Sequence, residues 1–259
     1  MNIERLLEQT ILIAREAGSK IKNDRDFKIH EKTDATNIVT SMDIEIQNIV
    51  LSKLHTLLPE ASVYAEENDV REMSDGYVWV VDPIDGTTNF AYDLKQSCIS
   101  IGLLYQKEGY MGVVYNPYLD EVYYAIKGKG AYINGKPIHV TDNMIEHSLF
   151  CIGTSPYYKE AMADETFDII KRLFLKGRDI RRSGSAALDL CYVACGRYDG
   201  FYERLLSPWD YAAGATIIKE AGGIIETLEP YTWTYETAMP IIAGNPNNFS
   251  SMLDIIKGN

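Results

Sequence analysis

The sequence predicts an α/β (α+β) protein of layered sheets and helices, with two closely packed lobes over residues 1–145 and 146–259. Three observations favour this class. Apolar residues at helical spacing and short β-branched segments both occur in each half of the chain. No linker, low-complexity tract or repeat separates the halves. The length of 259 residues suits one large domain or two lobes that share an interface.

Two helices are expected at the start of the first lobe. The spacing of apolar residues predicts a helix over 3–22, and the polar segment 22–37 predicts a loop. A second helix should begin near Thr40, because Thr40 and Asp43 have the spacing of a capping box, and it should end before Pro59.

Strands and helices then alternate along the chain. In the first lobe, β-branched and aromatic runs with tight turns predict strands at 78–81, 98–105, 110–115, 121–126 and 130–135. In the second lobe, further strands are predicted at 149–152, 179–182, 222–226 and 240–245. Helical patterns are present at 164–176, 185–195, 208–221 and 246–257.

Charge and composition narrow the possible partners. The net charge of -12 repels a nucleic-acid backbone, and there is no basic stripe with interleaved aromatic residues, which argues against nucleic-acid binding. The four cysteines form no CxxC pair and the four histidines form no HExxH, which argues against zinc. The N-terminus lacks the apolar core of a secretory signal, and no apolar run approaches the roughly 20 residues of a membrane span. A cytoplasmic protein is therefore expected.

The stretch VWVVDPIDGTTNF raises a functional question. Asp82 and Asp85 follow a short buried strand, and ligand sites in α/β folds commonly lie where strands end. If a helix begins at Gly86 or Thr87, its first N–H groups favour an anion. The same residues equally fit a structural role, with Asp85 capping the next helix and Asp82 in a turn. This stretch alone leaves both interpretations open.

Further acids could complete a cation site. Glu66 and Glu67 follow an apolar stretch, and Asp210 lies in SPWDYAAGATIIKEAGG. Mg²⁺ prefers carboxylate and carbonyl oxygen, and clustered acids repel one another without a cation. Spacing does not show that these acids meet. Asp210 also fits a capping box with Ser207, and the glutamates also fit a solvated turn.

Two long motifs decide between these interpretations by resemblance. DPIDGTTNF and WDYAAGATIIKEAGG closely resemble the two signature motifs of the inositol monophosphatase family, in the same order and at about the same separation. The resemblance covers most of the chain, since it extends to AEE at 65–67, VTSMD at 39–43, RRSGSAA at 181–187 and DGFYE at 199–203.

The resemblance implies a fold and a reaction. The fold would be a layered αβαβα sandwich. The reaction would be Mg²⁺-dependent, lithium-sensitive hydrolysis of a small phosphate monoester by a homodimer with two or three metal ions in each site. The first lobe would carry the metal and phosphate site, and the second lobe would carry the Trp-Asp motif and the substrate contacts.

The resemblance also assigns roles to individual residues. The implied metal ligands are Glu66, Asp82, Asp85, Asp210 and the carbonyl of Ile84. Gly86 and Thr87 would bind phosphate, and the catalytic groups would be Glu66, Thr87 and Asp43, the last two orienting and deprotonating the attacking water. The alcohol half of the substrate would contact Asp85, Gly184, Ser185, Ala186 and Glu203. Lys32 would lie on a mobile loop. Two departures concern loop detail: Ala65 replaces a usual Gly, and Asn37 replaces a frequent Asp.

Alternatives remain at this stage. A haloacid-dehalogenase type of phosphatase also ends a strand in two aspartates, but with DxD rather than DxxD spacing. Cys191 and Arg197 satisfy the C-x5-R spacing of cysteine phosphatases, although the segment looks helical and lacks the expected glycines. A non-catalytic regulatory protein could use the same fold. Inositol monophosphate is the favoured substrate, because Glu203 could receive a polyol hydroxyl. NADP, fructose-1,6-bisphosphate, histidinol phosphate and adenosine bisphosphate are the alternatives.

Overall fold

The computed structural model describes residues 2–32, 36–67 and 73–258, which contain seven α-helices and fourteen strands. The helices are α1 (Ile3–Asn23), α2 (Ser41–Leu57), α3 (Thr87–Ala91), α4 (Lys159–Lys176), α5 (Ala186–Ala194), α6 (Pro208–Glu220) and α7 (Phe249–Lys257). The strands are β1 (Ile29–Glu31), β2 (Ile38–Thr40), β3 (Ser62–Ala65), β4 (Tyr77–Asp85), β5 (Cys98–Tyr105), β6 (Glu108–Asn116), β7 (Glu121–Ile126), β8 (Ala131–Ile133), β9 (Lys136–Ile138), β10 (Leu149–Ile152), β11 (Asp179–Arg181), β12 (Gly200–Leu206), β13 (Ile224–Glu226) and β14 (Met239–Gly244).

Two large sheets form the framework. The first has the order β3-β4-β5-β6-β7-β8-β9 and is antiparallel except for the parallel pair β3 and β4. The second has the order β11-β10-β12-β14-β13, and β10 lies parallel to both of its neighbours. The strands of the first sheet come from 62–138 and those of the second from 149–244. The expected lobe boundary at residue 145 falls between these ranges and stays a prediction.

Helices cover and separate the sheets. Helices α1 and α2 pack on one face of the seven-stranded sheet, and α5 and α6 lie between the two sheets. Helices α4 and α7 cover the far face of the five-stranded sheet. The order of layers is therefore αβαβα, which confirms the expected fold class.

The layering explains why residues 78–81 are continuously apolar. Side chains alternate across a strand, and here both faces of the sheet are covered by helices. Trp79 and Val81 belong to the core cluster that includes α1 and α2, whereas Val78 and Val80 belong to the cluster around α5 and α6. All four residues are fully buried.

The structure corrects several predicted boundaries. Strand β4 does not end at Val81 but continues to Asp85, with a shift of register against β5 between Asp82 and Asp85. Pro83 suggests a strand end because it has no N–H to donate, and the irregularity accommodates it. The segment 22–37, expected to be a loop, contains β1, which pairs with β2. Strands β3, β9 and β12 are also additional to the prediction, and α4 begins five residues earlier than expected.

Within the described part of the chain, no helix is both long enough and apolar enough to span a membrane.

Candidate active site

A cleft of about 980 Å³ is lined by residues from both halves of the chain. Most of the site residues predicted from the sequence lie along it. They are Lys32, Glu66, Asp82, Ile84, Asp85, Gly86, Thr87, Gly184, Ser185, Ala186, Glu203 and Asp210. Asp43 is fully buried behind them, and its Oδ1 accepts a hydrogen bond from the hydroxyl of Thr87 at 3.1 Å. The fold thus brings the predicted residues together.

Three aspartates form the centre of the cleft. One carboxylate oxygen from each of Asp82, Asp85 and Asp210 lies within 4.8 Å of the others. Asp82 and Asp85 stand at the irregular end of β4, and Asp210 stands in the first turn of α6. Residues more than a hundred positions apart therefore converge on one small volume.

The electrostatics of this cluster favour a cation. Burial raises the pKa of Asp82 well above its ordinary value, and repulsion from Glu66, Asp85 and Asp210 raises it further. Burial also raises the pKa of Asp210, again with repulsion from Asp85 and Glu66. Burial raises the pKa of Asp85 to about 6, against hydrogen bonds that lower it. An oxygen-only set of mutually repelling carboxylates fits a hard cation such as Mg²⁺, which would remove this repulsion.

Backbone groups at helix N-termini hold three of the acids. The N–H of Thr40 donates to Asp43 Oδ2 at 2.8 Å, and the N–H of Ser207 donates to Asp210 Oδ2 at 2.7 Å. The N–H of Ala187, in α5, donates to Asp85 Oδ2 at 2.9 Å. A carboxylate is favoured at these helix ends, and anchoring one oxygen fixes the position of the other.

This anchoring answers the question that the sequence left open. Asp210 belongs to a capping box with Ser207 and to the acid cluster at the same time. Asp85 does not cap the helix that follows it, since Gly86 is the N-cap of α3. Asp82 lies within β4 and not in a turn. The structural and functional interpretations are therefore compatible at Asp210, and the capping interpretation of Asp85 is wrong.

Thr87 contacts Asp43, the other member of the predicted catalytic pair. Its hydroxyl lies 3.1 Å from Asp43 Oδ1 and 3.2 Å from the carbonyl oxygen of Ile84. Burial raises the pKa of Asp43 to about 6, and hydrogen bonds from Thr40 oppose the shift. The helix predicted to begin at Gly86 or Thr87 is α3, and Gly86 has a left-handed φ of 86° that favours glycine.

Lys32 provides a positive charge beside the acids. Its ammonium group lies 2.9 Å from Glu66 Oε1 and 2.5 Å from Glu67 Oε1. Burial lowers the pKa of Lys32, but these carboxylates raise it more, so that the net shift is upward. Burial and repulsion from Glu66 raise the pKa of Glu67 to about 7. The mobility of the Lys32 loop stays a prediction, and residues 33–35 of that loop lie outside the described ranges.

Glu203 lies apart from the cluster, on β12. Its Oε1 accepts hydrogen bonds from the N–H of Ser155 at 2.8 Å and from the Ser155 hydroxyl at 3.3 Å. Burial raises the pKa of Glu203 to about 7, with the Ser155 N–H and Arg182 lowering it and Asp85 raising it. Gly153 leaves room for this carboxylate, because a Cβ there would lie 1.8 Å from Glu203 Oε2.

Several residues that line the cleft were missed from the sequence: Gly153, Ser155, Tyr157, Arg182 and Trp209. Arg182 and Trp209 lie in the stretches RRSGSAA and WDYAAGATIIKEAGG, which the resemblance marked without giving these two residues a role. No local pattern marks the other three, whose proximity depends on how distant segments pack. The two departures from the family pattern lie nearby. Asn37 lines the cleft, and Ala65 is fully buried at the end of β3.

The cysteine-phosphatase alternative does not fit the geometry. Cys191 is fully buried in α5, and Arg197 forms a two-point ion pair with Glu121 at 2.7 and 2.5 Å. Neither residue lines the cleft. The C-x5-R spacing is therefore incidental.

The layered sandwich and its acid-lined cleft agree with a metal-dependent class of phosphatases. The model of the inositol monophosphatase family matches residues 2–257, and the chain belongs to that family. The family is metal-dependent, and the cluster of Asp82, Asp85 and Asp210 could bind a metal. Membership confirms the resemblance stated from the two motifs.

Three similar proteins illustrate the match. "Inositol monophosphatase 2" of Solanum lycopersicum is 37% identical over 94% of this chain and 94% of its own length. The "Putative Nus factor SuhB" of Neisseria meningitidis serogroup B is 38% identical over 94% of this chain and 95% of its own. A solved structure of inositol monophosphatase from Anabaena superimposes with a TM-score of 0.88 at 32% identity, covering 100% of this chain and 97% of that one.

Proposed function

We propose that the protein hydrolyses a small phosphate monoester with Mg²⁺, and that inositol monophosphate is its substrate. The observation that carries the proposal is the convergence of Asp82, Asp85 and Asp210 within 4.8 Å in the cleft, where the first two are buried and Asp210 is half-buried. Four neighbouring acids, with Glu66, would be a costly arrangement in a protein that held no cation there.

Glu66, Asp82, Asp85, Asp210 and the Ile84 carbonyl would hold two or three Mg²⁺ ions. Bound Mg²⁺ would neutralise phosphate charge and lower the pKa of a bound water. The contact between Thr87 and Asp43 supports the role expected for this pair, in which the hydroxyl orients the attacking water and Asp43 receives a proton. Gly86 and Thr87 would bind the phosphate oxygens. No covalent intermediate is needed.

The opposite wall of the cleft would bind the alcohol. Glu203 is buried and held by Ser155, so its carboxylate is prepositioned to accept a hydrogen bond from a substrate hydroxyl. This favours a polyol such as inositol. Gly184, Ser185 and Ala186 border the same space. The homodimer, the cytoplasmic location and the sensitivity to lithium stay predictions.

A second candidate is a regulatory role in addition to hydrolysis. It is favoured by the similarity to the Neisseria protein named as a putative Nus factor. The net charge of -12 disfavours direct binding of nucleic acid, so such a role would act through a protein partner.

The test is a panel of phosphate esters assayed with Mg²⁺ and with excess EDTA. The panel contains inositol monophosphate, NADP, fructose-1,6-bisphosphate, histidinol phosphate and adenosine bisphosphate. We expect phosphate release that requires Mg²⁺, is fastest for inositol monophosphate and is lost in Asp82→Asn. Asp120→Asn is the matched control, because Asp120 is an exposed partner of Arg15 away from the cleft. Full turnover in EDTA, or no turnover of any ester, would contradict the proposal.

A further inference from the structure

The carboxylate of Asp85 is held by groups from other elements. The hydroxyl of Ser185 donates a hydrogen bond to Asp85 Oδ2, and the N–H of Ala187 donates to the same oxygen at 2.9 Å. The thiol of Cys98 lies 3.7 Å from that oxygen. Three donors thus converge on one side of the side chain. The acid belongs to β4, whereas two of its donors belong to the start of α5.

Ser185 has two functions through one hydroxyl. It is the N-cap of α5, where its Oγ accepts a hydrogen bond from the N–H of Leu188 at 3.4 Å. The same hydroxyl donates a hydrogen bond to Asp85 Oδ2. An N-cap needs only the first of these bonds. The second one is therefore additional to the capping of α5.

The hydrogen bond between Ser185 and Asp85 is buried, and its acceptor is a carboxylate. Ser185 is 1% exposed and Asp85 is 7% exposed, so water does not compete freely for the bond. A hydrogen bond to a carboxylate in such surroundings is stronger than a neutral one and holds the acceptor in one orientation. Without the hydroxyl, the Ala187 N–H and the thiol would remain, and neither would fix the rotation of the carboxylate as tightly.

Neighbouring contacts show that two segments meet here. Asn89 Nδ2 donates to the carbonyl of Ser183 at 2.9 Å, which ties the segment after β4 to the segment before α5. A Cβ on Gly86 would lie 3.1 Å from the carbonyl oxygen of Gly184, so these turns are in close contact. The orientation of Asp85 therefore depends on how α5 docks against the end of β4.

We propose that the Ser185 hydroxyl is a positioning group for Asp85, which makes cation affinity at the acid cluster depend on the docking of α5. The inference rests on the proposed function and deepens it, because it assigns the side chain of Ser185 to the metal site. Outer partners of metal ligands typically contribute 10- to 100-fold in affinity. The expected contribution of Ser185 is therefore about 10- to 100-fold in Mg²⁺ affinity.

The experiment compares Ser185→Ala, Ser185→Gly and Ser185→Thr with the wild type. Mg²⁺ binding is measured by calorimetric titration of the metal alone, and kcat and KM for the best ester are measured at increasing Mg²⁺. We expect Ser185→Ala and Ser185→Gly to bind Mg²⁺ roughly 10- to 100-fold more weakly. The titration of the metal alone is the deciding measurement, because Ser185 also borders the space for the substrate alcohol and its loss can change KM directly. Ser185→Thr keeps a hydroxyl and should retain the wild-type affinity.

Asn2→Ala is the matched control for loss of a helix cap. Asn2 caps α1 by accepting hydrogen bonds from the N–H groups of Glu4 and Arg5, far along the chain from the cleft. It should melt at a lower temperature than the wild type and bind Mg²⁺ as tightly. Ser185→Gly is included because glycine is tolerated at an N-cap, should the alanine variant fail to fold.

The outcomes separate the two proposals. Absence of Mg²⁺ binding by the wild type would overturn the proposed metal site and this inference together. Wild-type Mg²⁺ affinity in Ser185→Ala or Ser185→Gly, with only a lower melting temperature, would overturn this inference alone and leave Ser185 as a cap. Loss of affinity in Ser185→Thr equal to that in Ser185→Ala would also overturn it.

Discussion

The two walls of the cleft use buried carboxylates in different ways. On one wall, Asp82, Asp85 and Asp210 face one another within 4.8 Å, and their mutual repulsion adds to the cost of burial. On the other wall, Glu203 faces Ser155 and accepts hydrogen bonds from its N–H and its hydroxyl. The aspartates of the first wall repel one another and need a cation between them. The carboxylate of Glu203 on the second wall already accepts hydrogen bonds from the protein.

Carboxylates therefore serve two different purposes in the same cleft. Carboxylates that are anchored at helix ends and directed at one another form a cation site. A carboxylate held singly by neutral donors is suited to recognise a hydroxyl group. Substitutions in the two walls should accordingly change different measured quantities.

The largest effect is expected from Asp85→Asn. The change keeps the size of the side chain but removes a ligand charge from the acid cluster. We expect the rate of ester hydrolysis to fall by more than about 100-fold, the upper figure for losing only an outer partner of a ligand. Circular dichroism should show an intact fold. Wild-type turnover in this variant would remove Asp85 from the metal site.

The variant Asp210→Asn distinguishes a role of Asp210 as a metal ligand from a role as a helix-capping residue. Asparagine can still accept the hydrogen bond from the Ser207 N–H, so the capping box should survive. Removing the charge relieves repulsion in the metal-free protein, and we expect equal or higher stability there. The variant should gain less melting temperature from Mg²⁺ and should hydrolyse the ester far more slowly.

The contrary result for Asp210→Asn is also specific. A loss of about 0.5–2 kcal/mol in metal-free stability is the usual effect of losing a cap. An unchanged Mg²⁺ response and an unchanged rate, with or without such a loss of stability, would leave Asp210 as a structural residue only.

Glu203→Gln should affect substrate binding more than metal binding. Above about pH 8 the carboxylate of Glu203 is mostly ionised, since its pKa is about 7. A charged hydrogen bond to a substrate hydroxyl contributes about 1.5–3 kcal/mol, so kcat/KM at that pH should fall roughly 10- to 150-fold for a polyol phosphate. Mg²⁺ affinity should fall far less than in Asp85→Asn, because Glu203 repels Asp85 but is not part of the aspartate cluster. A loss of Mg²⁺ affinity equal to that of Asp85→Asn would erase the distinction between the walls.

The same variant should change the pH dependence of stability. Burial raises the pKa of Glu203 from 4.5 to about 7, so the folded state keeps this proton at pH values where the unfolded state has lost it. The stability from the protonated group is complete below about pH 4.5 and is lost as pH rises through about 7. In metal-free melts, the free energy of unfolding of Glu203→Gln should rise relative to that of the wild type between about pH 5 and pH 8, by at most on the order of 3 kcal/mol. A difference in stability between variant and wild type that does not change with pH would show that the pKa of Glu203 is not raised.

Local patterns predicted much of the fold and the chemical identity of the site. The capping box at Thr40 and Asp43 and the two-sided burial of residues 78–81 follow from short-range rules, and both are present. The continuation of β4 through Pro83 was not predictable, because it depends on an irregular pairing with β5.

Contacts between segments that are distant along the chain could not be predicted from the sequence. Asp85 meets Ser185 across 100 positions, and Glu203 fits beside Gly153 because that residue has no side chain. No spacing rule relates such pairs, since they depend on how the sheets and α5 pack. The resemblance assigned residues to the site, and only the structure shows what holds each one.

The central claim is that the acid cluster is a cation site, and thermal melting of the wild type tests it most directly. The protein is melted in excess EDTA and again after increasing Mg²⁺ is added back, beside Asp85→Asn. Binding to the native state alone stabilises it by about 2.7 kcal/mol at 100 times the Kd, so the wild-type Tm should rise steadily with Mg²⁺. The Tm of Asp85→Asn should rise much less. A wild-type Tm that is the same in EDTA and at every Mg²⁺ concentration would contradict the account.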